Sequence, residues 1–170
     1  MKEKTARSLL IGLILLLGTL VSSAYAESIS TTNVNELQGI ISSERGRPTV
    51  VMLFSSGCPL SRNFWPGFLS FANQVRGRNV AFLVFSTDRN KVNASDFVSN
   101  TSLPFNCYWI EPWSSGQLAA TMRTTGVHVG KSFTLPLVVV LDSTGKVMAE
   151  WEGLQDISQV ENALKSIHAL

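Results

Sequence analysis

The sequence predicts an α/β fold with a central mixed sheet and helices on both faces. Three observations lead there. Residues 49–54, rich in β-branched residues, and residues 80–86 are short, continuous apolar runs, the pattern of parallel strands covered on both sides. Between them Leu60, Phe64, Phe68, Phe71, Ala72 and Val75 recur at helical spacing, so strand, helix and strand make a βαβ unit. Later, residues 137–141 and 147–153 flank Asp142-Ser143-Thr144-Gly145, which is hairpin chemistry. The sheet therefore starts parallel and finishes antiparallel.

At the N-terminus, Lys2, Lys4 and Arg7 stand against Glu3, residues 9–21 are mostly aliphatic, and Ala24-Tyr25-Ala26 is a small-x-small site. These are the three parts of a cleaved secretory signal peptide, residues 1–26. The apolar run is shorter than the roughly 18 residues a spanning helix needs, so no membrane contact is expected after cleavage. No cysteine lies at the cut to carry a lipid. Residues 27–170 then form one domain with 11 basic and 11 acidic residues, a net charge of zero. Without a basic block or basic and aromatic interleaving, nucleic acid is excluded as a partner.

Along this domain residues 27–31 read as an edge strand. Asn33 with Glu36 forms a capping-box pattern before Leu37, Ile40 and Ile41, a first helix that ends near Gly46. The strand 49–54 and the long helix closed by Gly77 follow. After the strand 80–86, a short helix capped by Asn93 is expected up to Asn100, then a strand over 105–110. A helix over 117–124 stops at Gly126, and a last helix starts at an Asp156 cap and runs through Ile157, Val160, Leu164 and Ile167.

Cys58 falls at the turn between the first long strand and the long helix, after the small residues Ser55, Ser56 and Gly57. Pro59 occupies a first-turn helical position, where its missing N–H costs nothing. A thiol there faces unpaired helix N–H groups and the positive end of the helix dipole, the arrangement that favours a thiolate. The stretch Cys58-Pro59-Leu60-Ser61, with Pro66 five residues on, resembles the thioredoxin superfamily, in particular the exported bacterial thioredoxin-like thiol-disulfide oxidoreductases. Their motif is C-x-x-C, and Ser61 stands at its second cysteine. Gly57 stands where the family usually has tryptophan.

The resemblance implies a thioredoxin-like fold over nearly all of residues 28–168 and a cis-proline before the hairpin, for which Pro136 after Leu135 is the candidate. It places Gly57, Pro59, Leu60, Leu135 and Pro136 at the client surface and Cys58, Ser61 and Arg62 in the reacting group, Ser61 and Arg62 serving to stabilise a Cys58 thiolate. The family's acid near the motif has no counterpart, because Met52 and Phe64 occupy the matching positions. The loop from His128 to Leu135 is longer than in relatives and would overhang Cys58, offering His128, Lys131 and Phe133. His128 is a candidate acid-base partner for Cys58, against the commoner case of a solvent-facing loop histidine. Cys107 lies in the 105–110 strand, which the resemblance places toward the sheet edge. A disulfide needs Cα atoms within about 7 Å, so both thiols are expected to be free.

Three functions remain open. The first is monothiol thiol-disulfide exchange or client holding through Cys58, since a hydroxyl at position 61 cannot release a mixed disulfide. The second is a redox-inactive binding or adaptor module of the cell envelope. The third is a thiol peroxidase, whose motif needs a proline seven residues before the cysteine where Val51 stands, although Ser55 fits. The expected partners are cysteine-containing or extended protein clients, or a small thiol, met by a monomer in the periplasm or in the secreted fraction. No cofactor is called for, and two histidines with two separated cysteines give no metal-ligand spacing.

Overall fold

The computed structural model describes residues 29–99, 101–154 and 156–170. The expected signal peptide and its cleavage site lie outside the described residues. The elements run β1 (Ser30–Thr32), α1 (Leu37–Ser43), β2 (Thr49–Phe54), α2 (Pro59–Gln74), β3 (Ala81–Ser86), α3 (Lys91–Ser99), β4 (Asn106–Ile110), α4 (Ser115–Thr124), β5 (Leu137–Leu141), β6 (Val147–Glu152) and α5 (Ser158–Ser166). This is the order expected from the sequence.

The six strands form one sheet in the order β1-β4-β3-β2-β5-β6. β1, β4, β3 and β2 are parallel, while β5 and β6 are antiparallel to their neighbours. β2 is therefore central, and all six of its residues are buried. Its side chains alternate between two cores, as a pleated strand requires. Val50, Met52 and Phe54 pack with Phe64, Phe68 and Phe71 of α2, Val98 of α3 and Val160 and Leu164 of α5. Val51 and Leu53 pack on the other face with Leu37 and Ile41 of α1 and Leu118 and Met122 of α4. Met52 and Phe64, 0% and 2% exposed, thus serve the apolar core where an acid would need solvent or a partner.

Local boundaries differ from the sequence reading where caps compete. Asn33 Oδ1 accepts from the Asn35 amide at 3.0 Å rather than from Glu36, so only the return half of the expected box forms, with the Glu36 carboxylate accepting from the Asn33 amide at 3.3 Å. The Glu36 carboxyl is held below its ordinary range, first by the Thr32 hydroxyl. α3 begins two residues before Asn93, because Asn90 Oδ1 accepts from the Val92 amide at 2.9 Å and provides the starting turn instead. α4 likewise begins at Ser115, because Ser114 and Gln117 form a complete capping box. The last helix starts two residues after Asp156, whose Oδ1 accepts from the Ser158 amide at 2.9 Å.

Candidate functional site

Segments far apart in sequence meet at one end of the sheet. β2, β3 and β4 are parallel and leave the sheet side by side at Phe54, Ser86 and Ile110, while antiparallel β5 enters at the same end, with Leu137 opposite Leu53. The carboxyl ends of parallel strands are where an open α/β sheet presents its loops to ligands.

Cys58 is the N-cap residue of α2, with extended backbone at φ −83° and ψ 119° and Pro59 directly after it. Its amide donates to the Ser55 carbonyl at 3.0 Å, and its own carbonyl accepts the Arg62 amide at 3.0 Å, the first helical bond. The side chain is half-buried, and Sγ donates to the Leu135 carbonyl at 3.4 Å. The Leu135–Pro136 peptide bond is cis. The structure thus brings Cys58, Leu135 and Pro136 together, with Gly57 and Pro59 exposed beside them.

Leu60 reaches the same group from α2, and a glycine admits it. Gly153 follows β6 with φ +63°, donates its amide to the Pro136 carbonyl at 2.9 Å, and has Thr134 Cγ2 and Leu60 Cδ1 3.3 and 3.5 Å from where a Cβ would stand. Pro66 lies within α2 on the exposed side, where it leaves the Arg62 carbonyl without the usual helical donor.

Ser61 and Arg62 lie next to Cys58 in sequence but are not bonded to its thiol. Ser61 is fully buried, and its hydroxyl has no hydrogen-bond partner. The helix turns it inward, toward the core face that Phe64, Trp65 and Phe68 also occupy. The Arg62 guanidinium donates to the Ser56 carbonyl at 3.3 Å and lies 5.9 Å from the centre of the Phe97 ring. Its charge is therefore held over the loop before Cys58. His128 is directed elsewhere as well: its amide donates to Glu150 at 2.9 Å and its Nδ1 lies 3.3 Å from the same carboxylate, with the side chain 88% exposed.

Asp88 is the residue that sequence reasoning missed. It is only 6% exposed, yet it accepts from the Ser55 hydroxyl at 2.8 Å, the Ser56 hydroxyl at 2.9 Å, the Ser56 amide at 3.1 Å and the Ser86 hydroxyl at 2.8 Å. Three hydroxyls and one amide thus satisfy the acceptor oxygens of this buried carboxylate. Its own carbonyl accepts from Trp109 Nε1 at 2.7 Å. The loop that presents Cys58 is therefore fastened to the end of β3 through a buried, hydrogen-bonded side chain. The polar triplet Ser86-Thr87-Asp88 closing an apolar strand was the available signal.

Cys107 lies on β4 opposite Val84 and is buried, and both cysteines are free. Burial pushes the Cys107 thiol up to about 12, so it stays protonated and inert.

The model for thioredoxin-like proteins matches residues 46–147, more than half of the chain. A comparison with curated proteins finds no match. Among solved structures, the chain resembles a thiol:disulfide interchange protein from Chlorobium tepidum at 16% identity and a TM-score of 0.58, covering 74% of this chain and 82% of that one. StoA from Bacillus subtilis is 20% identical with a TM-score of 0.53, over 70% and 83% of the two chains. A secreted Mycobacterium tuberculosis disulfide oxidoreductase is 16% identical with a TM-score of 0.56, over 73% and 84%. At these identities the likeness is one of fold.

Proposed function

The chain belongs to the thioredoxin-like family, and from that premise we propose that it is an exported monothiol exchange protein acting through Cys58 on cysteine-containing or extended protein clients, or on a small thiol. The observation that carries this reading is a half-buried Cys58 at a helix start, its Sγ 3.4 Å from the carbonyl before Pro136, with a buried hydroxyl at the motif's last position.

The chemistry is one exchange step without net oxidation. Cys58 loses its proton to solvent, and the thiolate attacks a client disulfide. A bond forms between Cys58 Sγ and one client sulfur, the client's S–S bond breaks, and the second client sulfur leaves as a thiolate that takes a proton back. The α2 N-terminus favours the attacking anion, while Arg62, held over the Ser56 carbonyl, puts its positive charge on the loop before Cys58 rather than on the thiol, and the Ser61 hydroxyl stays unpaired on the core side. Gly57, Pro59, Leu60, Leu135 and Pro136 form the surface the client lies against. Release needs a thiol from outside, because a hydroxyl at neutral pH does not attack a disulfide. Residues 1–26 direct the chain out of the cytoplasm, to the periplasm or beyond, and no helix among the described residues is long and apolar enough to cross a membrane.

A redox-inactive envelope binding module is the second reading, favoured by the apolar residues Met52 and Phe64 where relatives carry an acid. Trapping of mixed disulfides by rapid acid quenching separates the two. Exchange predicts trapped partners on the mature chain, none on Cys58→Ser, and few on Ser61→Cys, in which a second thiol releases them. A Cys58 unreactive toward disulfides, with partners still captured by Cys58→Ser, sinks exchange and leaves the binding module.

A further inference from the structure

Beside Leu135, whose carbonyl receives the Cys58 thiol, the end of the sheet opens into a cleft. Its inner part, about 60 Å³, is walled by Thr87, Trp113, Phe133 and Leu135. Its outer part, about 490 Å³, runs past Trp113 and Pro112 to Arg89. Trp113 and Ser115 line both, so the two parts adjoin across these residues. Beside the hydroxyl residues Thr87, Ser115 and Ser132, the walls of the inner part include two half-buried aromatic rings and an aliphatic side chain, surfaces that gain by covering an apolar group.

The outer end is different in kind. Arg89 is exposed, and among the described residues no acidic side chain lines either part and Arg89 forms no ion pair. Its backbone is nonetheless fixed, because the preceding residue is Asp88, with its carboxylate clamped by Ser55, Ser56 and Ser86 and its carbonyl by Trp109. A guanidinium on such a base presents a fork that matches a carboxylate.

We infer that this cleft selects the client: it takes an extended cysteine-containing peptide with an aromatic or aliphatic side chain next to the cysteine, seated between Trp113 and Phe133, and an aspartate or glutamate farther along, set on Arg89. The identity of the client as a disulfide rests on the exchange reading above. The binding itself does not.

The test uses the mature Cys58→Ser chain, which binds without reacting, titrated with the blocked peptides Gly-Ser-Phe-Gly-Asp-Glu and Gly-Ser-Phe-Gly-Lys-Lys under fluorescence polarisation at low salt. The acidic peptide binds about fivefold tighter or more, the size of one exposed ion pair, and Arg89→Glu in the same background reverses the preference. Arg89→Ala removes it, and Arg89 is exposed enough that either change leaves the fold intact. Replacing the peptide phenylalanine by serine weakens both peptides. Equal affinity for the two peptides, or a preference that survives Arg89→Glu, overturns the assignment.

The same peptides carrying cysteine in place of serine, supplied as disulfides to the unaltered mature chain, separate this inference from the exchange reading. Charge discrimination in binding without any mixed disulfide overturns exchange and keeps the cleft. Mixed disulfides that form equally fast with both peptides keep exchange and overturn the cleft.

Discussion

Asp88 and Ser56, 32 residues apart, are joined through both the backbone and the side chain of the serine: the Ser56 amide donates to each carboxylate oxygen at 3.1 Å, and the Ser56 hydroxyl to one of them at 2.9 Å. The bond spans the gap between the ends of two parallel strands. It makes the position of the Cys58 loop depend on one buried carboxyl side chain.

Asp88→Ala should therefore be costly. It leaves the Ser56 amide and the Ser55, Ser56 and Ser86 hydroxyls without their acceptor, a loss of about 2–4 kcal/mol. Asp88→Asn recovers only part, because its amide group is a donor facing donors. Urea unfolding with an unchanged slope and a lowered midpoint is the expected result, and a midpoint equal to that of the unaltered chain would count against the clamp.

Ser61→Ala should behave in the opposite way. The hydroxyl is buried and unpaired, so its removal is neutral or stabilising by up to about 1 kcal/mol. A clear destabilisation of the reduced chain in the same urea assay would mean that the hydroxyl has a partner in solution.

Gly153→Ala places a Cβ at φ +63° and 3.3 Å from Thr134 Cγ2. The left-handed backbone alone costs an alanine about 1–2 kcal/mol, and the contact adds to it. A lower Tm is expected, together with altered access to Cys58, because Gly153 also holds the Pro136 carbonyl. Unchanged stability would show that the turn rearranges.

Only Cys58 should be alkylated in the native chain near pH 8, with Cys107 reacting after unfolding. The raised Cys107 thiol has a sign for stability as well. The folded state keeps its proton to about 12 while the unfolded thiol loses it above about 8.5, so stability present below that range falls as pH rises through it. Cys107→Val should make the alkaline loss of stability shallower.

The hairpin turn has the converse dependence. The Asp142 carboxylate accepts from the Thr144 hydroxyl at 2.7 Å and from the Lys146 amide at 3.0 Å, and these bonds, the Thr144 hydroxyl first, hold it below the ordinary carboxylate range. Its contribution is present above the unfolded value and lost as pH falls through the folded one. The Tm difference between the unaltered chain and Asp142→Ala should close as the solution is acidified, and a difference constant with pH would argue against the assignment.

Sequence alone determined the element order, the central strand, the hairpin and the place of Cys58 at a helix start. These are written in local signals: a continuous apolar run for β2, helical periodicity for α2, Asp142 to Gly145 for the turn, and Pro59 after the cysteine. Caps were legible in part, because several polar residues near each helix start compete for the same amides, and Asn90 and Ser114 took the roles.

Which groups face Cys58 was decided by tertiary structure. The Leu135 carbonyl comes to Sγ from 77 residues away because β5 enters the sheet where β2 leaves it, a consequence of strand pairing and register. The same pairing sets Asp88 beneath Ser56, while the pitch of α2 turns the Ser61 hydroxyl into the core and leaves Arg62 over Ser56 and Phe97. Hydrogen bonds reach only a few ångströms, so the chain could name the reacting residue locally, but its neighbours were fixed only once six strands had settled side by side.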